Sequence, residues 1–407
     1  MSRSATKILL LENIHDVARD MLSAEGYSVE LLPTALKEGE LKERLAGVSI
    51  LGIRSKTRVT PAVLAAAEAT NGGLLAIGCF CIGTNQVALV DANKRGVPVF
   101  NAPFSNTRSV AELIIAEIIA LARQLGDRSR EVHEGRWQKV ATGSYEIRGK
   151  TLGIIGYGHI GRQLGVMAES MGMRVAFFDV ATRLPMGNNN SCASLDELLS
   201  SSEFVTLHVP ETPQTKEMIG TRELALMKKG SFLLNASRGT VVVIPALAHA
   251  IRSGHIAGAA VDVYPEEPES NGSGFQSELC GLPNVILTPH IGGSTMEAQL
   301  SIGREVATSI SRFLATGATT GAVNYPQVEL APSPGAYRVM NVHHNVPGVM
   351  RDINKIVSDS NANIRAQMLS TDADIGYLVM DLEQNVAQSV GDAIGALATS
   401  IRTRVVA

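Results

Sequence analysis

The stretch Lys150-Thr151-Leu152-Gly153-Ile154-Ile155-Gly156-Tyr157-Gly158-His159-Ile160-Gly161 constrains this chain more than any other. An apolar, β-type run passes directly into the spacing G-x-G-x-x-G, and a helical pattern follows to about Met171. Gly156 permits the tight turn from strand to helix, Gly158 lets backbone approach a bulky anion, and Gly161 lets helix and strand pack closely. The helix start would offer unpaired N–H groups and the positive end of its dipole to a pyrophosphate. Arg174-Val175-Ala176-Phe177-Phe178-Asp179 reads as the next strand. Its terminal carboxylate falls about 20 residues past the glycines, where a ribose diol is gripped. A carboxylate there repels a 2′-phosphate, so the expected cofactor is NAD rather than NADP, held by Gly156, Gly158, His159, Ile160, Gly161 and Asp179. A glycine-rich turn without a ligand would leave Asp179 unexplained.

At 407 residues the chain is longer than one hydrophobic core usually supports, so more than one domain is expected. Its formal net charge is -3, from 36 basic and 39 acidic residues, with no long like-charge block, which argues against a nucleic-acid partner. Met1 to Lys7 leads straight into the short run Ile8 to Leu11, too short for a secretory or membrane segment. The apolar run Leu113 to Leu121 carries Glu112 and Glu117 at and within it, so it reads as a core helix rather than a membrane span. Cys79, Cys81, Cys192 and Cys280 in such a chain point to a reducing compartment and a cytoplasmic location. Cys79 and Cys81 sit in an apolar strand pattern and are expected as small buried hydrophobes, with no metal site.

From Lys7 to Asn101 short apolar runs alternate with helical patterns, the mark of an α/β unit, here without a dinucleotide fingerprint. A long helix from about Arg108 to Gln124 precedes the fingerprint strand. Later runs at Phe204 to Val209, Ser231 to Asn235, Ala257 to Val263 and Val285 to Thr288 suit a parallel sheet covered on both faces. Another long helix, about Met296 to Leu314, suggests that the chain leaves the first domain, forms the second and returns, leaving a cleft for substrate. Pro326 to Gly335 reads as a linker. Beyond it the order strand, helix, strand, strand, helix, strand describes a ferredoxin-like module of about 70 residues, small enough to favour pairing with a second copy.

Three polar segments follow strand ends: Ala236-Ser237-Arg238-Gly239, Asp262 to Pro268, and Thr288-Pro289-His290-Ile291-Gly292-Gly293. In them, and behind the glycine motif, the chain resembles the D-2-hydroxyacid dehydrogenases, which carry an Arg, a Glu and a His in this order. The resemblance implies that His290 exchanges the hydroxyl proton, Glu267 holds and polarises its imidazole, and Arg238 binds the substrate carboxylate. It also implies that Ala236, Ser237, Arg238, Asp262, His290, Ile291, Gly292 and Gly293 line the NAD site. The implied fold is a Rossmann-like doubly wound domain at 108–295, inserted into a discontinuous flavodoxin-like substrate domain at 1–107 and 296–330. A ferredoxin-like ACT domain would occupy 336–407.

Ile53-Arg54-Ser55-Lys56-Thr57, Gly78 to Asn85 and Asn101 to Glu112 bring the resemblance nearest to the shorter bacterial branch of that family. That branch oxidises 3-phospho-D-glycerate to 3-phosphohydroxypyruvate, the first step of L-serine synthesis. On this resemblance Arg54, Ser55 and Lys56 grip the substrate's phosphate and carboxylate, although the branch often has an arginine where Lys56 stands. Lys139, near Trp137, matches a position that reaches a neighbouring subunit's active site in a homotetramer. His343-His344-Asn345-Val346-Pro347-Gly348 resembles the H-x-N-x-P-G pattern of ACT modules, with His344 where an acidic residue is common. The implication is L-serine feedback, with His343 and Asn345 at the effector carboxylate and Asn363 supplied by a partner chain. A side reduction of 2-oxoglutarate to 2-hydroxyglutarate is a linked expectation, because a distal carboxylate can stand where the phosphate sits. The alternatives are a general hydroxypyruvate or glyoxylate reductase, which would not need Arg54 and Lys56, and an NAD-sensing interaction protein of the same fold.

Overall fold

The computed structural model describes residues 5–268 and 271–406. Residues 1–4, part of the leader reading above, lie outside them. Two compact units emerge, one formed by 1–105 with 299–407 and the other by 106–298.

In the first unit five parallel strands lie in the order Ser28–Leu31, Lys7–Leu10, Ile50–Ile53, Ala76–Cys79, Val99–Phe100. Chain order therefore reverses between Lys7–Leu10 and Ile50–Ile53, the switch point at which an open α/β sheet leaves a crevice outside its strand ends. Ile50–Ile53 and Ala76–Cys79 are buried at every position, which is why their apolar runs do not alternate. The 21-residue helix Met296–Thr316 is the element through which the chain returns to this unit, and Ile302, Val306, Ile310 and Phe313 join its core.

The same unit carries an antiparallel sheet ordered Ile364–Thr371, Ile375–Glu383, Ala336–His344, Ser400–Val406, with the helices Val349–Asp359 and Gln384–Gly395. This is the βαββαβ order expected from the sequence. One face packs Val339, Leu378 and Met380 under those helices. The other, through Met340, Val342 and Tyr377, shares a core with Phe100 and Phe313.

The second unit has seven parallel strands in the order Val285–Leu287, Ile256–Val261, Ser231–Asn235, Phe204–Leu207, Thr151–Ile155, Arg174–Phe178, Asn190–Ser191. Thr151–Ile155 lies between Phe204–Leu207 and Arg174–Phe178, so the glycine motif that follows it stands at this sheet's own switch point. The long helix expected to about Gln124 runs Thr107–Ala122, and Gln124 turns into the left-handed region (φ 51°) before a second helix, Leu125–His133, that the sequence reading did not include. Among the described residues no helix is long and apolar enough to cross a membrane.

Candidate active site

The glycine motif folds as its spacing requires. Gly156 has φ 90°, and a Cβ there would stand 2.3 Å from the His208 carbonyl oxygen, while one at Gly161 would meet the Gly156 carbonyl at 2.4 Å. Gly158 caps the helix His159–Ser170, and a Cβ on it would meet nothing within 4 Å, the open side that a pyrophosphate needs. These residues fit a dinucleotide. The Asp179 carboxylate accepts the N–H of Tyr157 at 2.8 Å and of Ala181 at 2.9 Å. Arg183 Nε lies 3.4 Å from it, so part of its charge is already answered within the chain, which the sequence reading did not foresee. A carboxylate has about four acceptor positions, so room for a diol remains.

The three polar segments sit at the carboxyl ends of adjacent strands, Ser231–Asn235, Ile256–Val261 and Val285–Leu287, and buried polar groups tie them together. Asn235 accepts from the Ser237 N–H and hydroxyl through Oδ1, and its Nδ2 donates to the Arg238 carbonyl. Asp262, 1% exposed, accepts the Ile291 and Gly292 N–H groups, both at 2.8 Å, and the Thr288 hydroxyl at 2.5 Å. Tyr264 donates its hydroxyl to the carbonyls of Val261 and Thr288. A Cβ at Gly239 would lie 1.9 Å from the Tyr264 carbonyl carbon, so no other residue fits there.

On this frame His290 adopts φ 55°, rare for a residue with a side chain. Its Nδ1 lies 2.8 Å from Glu267 Oε2 and 3.0 Å from Oε1. The hydrogen bond to Glu267 raises the His290 pKa; burial opposes it, and the charges of Glu267 and Asp262 reinforce it. Burial pushes the Glu267 carboxyl up, but His290, the Tyr264 N–H and the Arg238 charge outweigh it and hold it below the carboxylate range. Arg238 donates to the Ser237 carbonyl at 2.7 Å and acts electrostatically on both partners. Arg238, Glu267 and His290 thus converge: an imidazole whose Nδ1 is occupied by a carboxylate and whose Nε2 is left to exchange a proton, with a guanidinium beside it.

Glu117 is a residue the sequence reading noted only as a mark against a membrane span. It is 4% exposed, one of its oxygens has no partner, and burial, assisted by the Asp262 charge, raises its pKa to about 8.

The remaining expected residues are distributed as follows. Arg54, Ser55 and Lys56 form the turn after Ile50–Ile53 in the first unit, Ser55 and Lys56 exposed and Arg54 half-buried. Lys139 is exposed in a stretch of the second unit without regular structure, two residues from Trp137, which is 81% exposed. His343 is 3% exposed, its Nδ1 3.0 Å from Asn341 Oδ1, and its ring packs so closely on Gly376 that a Cβ there would stand 2.2 Å from Nε2. Burial, then the charge of His344, lowers its pKa. Asn345 is exposed and donates to the Asp372 carbonyl at 2.6 Å. Asn363 is exposed before Ile364–Thr371, and among the described residues it is not hydrogen-bonded to His343 or Asn345. Among the described residues no cluster of His, Cys, Asp and Glu could hold a metal ion.

Residues 115–292 match the family model of the D-isomer specific 2-hydroxyacid dehydrogenase, NAD binding domain, and residues 340–402 that of the AHAS small subunit-like ACT domain. The chain is 55% identical to the D-3-phosphoglycerate dehydrogenase of Dictyostelium discoideum, over 98% of this chain and 97% of that one. It is 51% identical to the D-3-phosphoglycerate dehydrogenase of Escherichia coli K12, over 99% and 98%. Among solved structures, D-lactate dehydrogenase from Aquifex aeolicus complexed with NAD and lactic acid superposes with a TM-score of 0.64 at 27% identity, covering 75% of this chain and 95% of that one.

Proposed function

From the premise that this chain belongs to the D-3-phosphoglycerate dehydrogenases, NAD-dependent enzymes of the D-2-hydroxyacid dehydrogenase family, we propose how its residues divide the work. The reaction is the oxidation of 3-phospho-D-glycerate to 3-phosphohydroxypyruvate. When bound, NAD supplies the hydride acceptor.

His290 takes the C2 hydroxyl proton during oxidation and returns it during reduction. Glu267 fixes the imidazole orientation and stabilises its protonated form, and Arg238 binds the carboxylate and opposes the alkoxide charge. Gly156, Gly158, His159, Ile160 and Gly161 hold the pyrophosphate, Asp179 the ribose, and Asp262 with Ala236, Ser237 and Ile291 to Gly293 the nicotinamide end. Arg54, Ser55 and Lys56 take the phosphate. The observation that carries this reading is the His290–Glu267 pair with Arg238 beside it, set on strand ends of the sheet whose switch point bears the glycine motif.

L-serine is the effector of the C-terminal module, held by His343 and Asn345 with Asn363 from a partner chain, and the enzyme works as a cytoplasmic homotetramer. The exposed Trp137, near Lys139, supports an assembly in which this stretch meets a neighbour. Reduction of 2-oxoglutarate is a side activity of the same site. The domains divide at 1–107 with 296–330, 108–295 and 336–407.

NADH oxidation by the purified protein, followed with 3-phosphohydroxypyruvate and with hydroxypyruvate, each with and without L-serine, tests the whole reading. Strong preference for the phosphorylated ketone, with inhibition by serine, is expected. Equal use of both ketones would reduce the enzyme to a general hydroxypyruvate reductase, and indifference to serine would leave the C-terminal module an assembly element.

A further inference from the structure

In the first unit one buried carboxylate gathers most of the backbone donors of the turn that carries Arg54, Ser55 and Lys56. Glu12 follows the strand Lys7–Leu10, and the turn follows the neighbouring strand Ile50–Ile53, so both stand at the switch point of the five-stranded sheet. Glu12 is 7% exposed. Its Oε1 accepts the N–H of Arg54 at 3.1 Å and of Thr57 at 2.8 Å, and its Oε2 accepts that of Lys56 at 2.9 Å. Glu12 and Asn13 both have positive φ, 64° and 53°, a pairing that side-chain-bearing residues rarely adopt. The bonds Glu12 N–H to Thr34 and Asn13 N–H to Leu32 hold this corner in place. Strain of this kind persists where the surroundings enforce it and collects at ligand sites.

The turn is also gripped from its other side. Gln86, 8% exposed, donates through Nε2 to the Arg54 carbonyl at 2.7 Å and to the Gly83 carbonyl at 3.1 Å. Phosphate-binding turns often aim their own N–H groups at the anion. Here the N–H groups of Arg54, Lys56 and Thr57 are committed to Glu12. What is left for an anion is the Ser55 N–H and hydroxyl together with the Arg54 and Lys56 side chains, neither of which enters an ion pair among the described residues.

We propose that Glu12, seconded by Gln86, is the positioning residue of the phosphate-binding turn: it fixes the backbone of Arg54 to Thr57 so that side-chain cations, rather than backbone amides, select a phosphorylated 2-hydroxy acid. This rests on the assignment of the turn to the substrate phosphate. Glu12 touches no substrate atom; it acts through the turn, and its loss is felt in substrate affinity more than in turnover.

Glu12→Gln preserves size but turns an NH2 toward at least one committed N–H donor. Steady-state kinetics with 3-phosphohydroxypyruvate and hydroxypyruvate should show the selectivity ratio of kcat/KM falling about 10-fold, the size expected for a lost charged hydrogen bond. The change should lie in KM, with kcat within about 2-fold and the NAD dissociation constant from calorimetry unmoved. Should Glu12→Gln fail to fold, Gln86→Met, which frees the Arg54 carbonyl, must reproduce the same split. An unchanged ratio, or equal losses with both ketones, overturns the proposal. Arg54→Ala separates the two ideas. If it abolishes the preference while Glu12→Gln leaves it intact, only the positioning role fails; if it leaves the preference untouched, the phosphate assignment itself falls.

Discussion

The two parallel sheets of this protein solve the same mechanical problem with the same part and carry different chemistry on it. In each, a carboxylate at a strand end is buried and spends its oxygens on backbone N–H groups of a neighbouring strand's loop: Glu12 on Arg54, Lys56 and Thr57, Asp262 on Ile291 and Gly292. In each, left-handed backbone lies at one end of the contact, at the anchor Glu12 in one case and in the held loop, at His290, in the other. The loop that Asp262 holds presents an imidazole, whereas the loop that Glu12 holds presents the Arg54 and Lys56 side chains. A buried carboxylate collecting amides is therefore a scaffold in both units, and on the roles proposed above what the loop displays decides whether it serves proton transfer or anion binding.

If that equivalence holds, removing the anchor should cost most where the displayed group must be placed for chemistry. Asp262→Asn leaves one acceptor oxygen for two N–H groups and the Thr288 hydroxyl. We expect kcat/KM to fall about 100-fold, chiefly in kcat, with a stability loss of about 2 kcal/mol on melting. A loss confined to KM would show that the anchor of the second unit behaves like that of the first, and the contrast drawn here would dissolve.

The parallel was only half legible in the sequence. Apolar runs announced the parallel sheet of the second unit, alternation of apolar runs with helical patterns announced an α/β unit before it, and glycine spacing announced the strand, turn and helix around Gly156, because each is a local pattern. Three polar segments right after apolar strands marked where ligands gather, but it was the resemblance to the D-2-hydroxyacid dehydrogenases that singled out Arg238, Glu267 and His290 within them. Neither marked Glu12. It sits in Leu11-Glu12-Asn13-Ile14 like any surface glutamate, and its partners lie more than 40 residues away, brought to it only by the pairing of Lys7–Leu10 with Ile50–Ile53. The Arg183 contact to Asp179 was hidden for a related reason, since a side-chain reach leaves no periodic trace, and the short polar helix Leu125–His133 buries no residue that would mark one face.

A smaller effect probes the titrating side of the comparison. Glu267 is the largest influence raising the His290 pKa, and burial works against it. Glu267→Gln therefore leaves burial to lower that pKa. With His290 in its proposed role as proton donor, ketone reduction needs it protonated, so the rate is full below the His290 pKa and is lost as pH rises through it. The variant's decline should begin at lower pH, and activity at neutral pH should drop by about 10-fold. A pH profile of kcat/KM for 3-phosphohydroxypyruvate reads this directly. An unshifted profile would mean that Glu267 only orients the ring.

The smallest expected effect lies on the cationic side, at Lys56. An ammonium is a compact point charge, while a guanidinium can meet a phosphate with two parallel N–H bonds. Because Glu12 pins the Lys56 amide at 2.9 Å, the backbone from which a longer side chain would start is already fixed. Lys56→Arg should accordingly lower KM for 3-phosphohydroxypyruvate by about 3-fold, leave kcat alone, and leave hydroxypyruvate untouched. Made in the Glu12→Gln background, the same change should gain little, since a planar fork helps only when its origin is held. An equal gain in both backgrounds would show that the cations find the phosphate unaided, and Glu12 would then be no counterpart of Asp262.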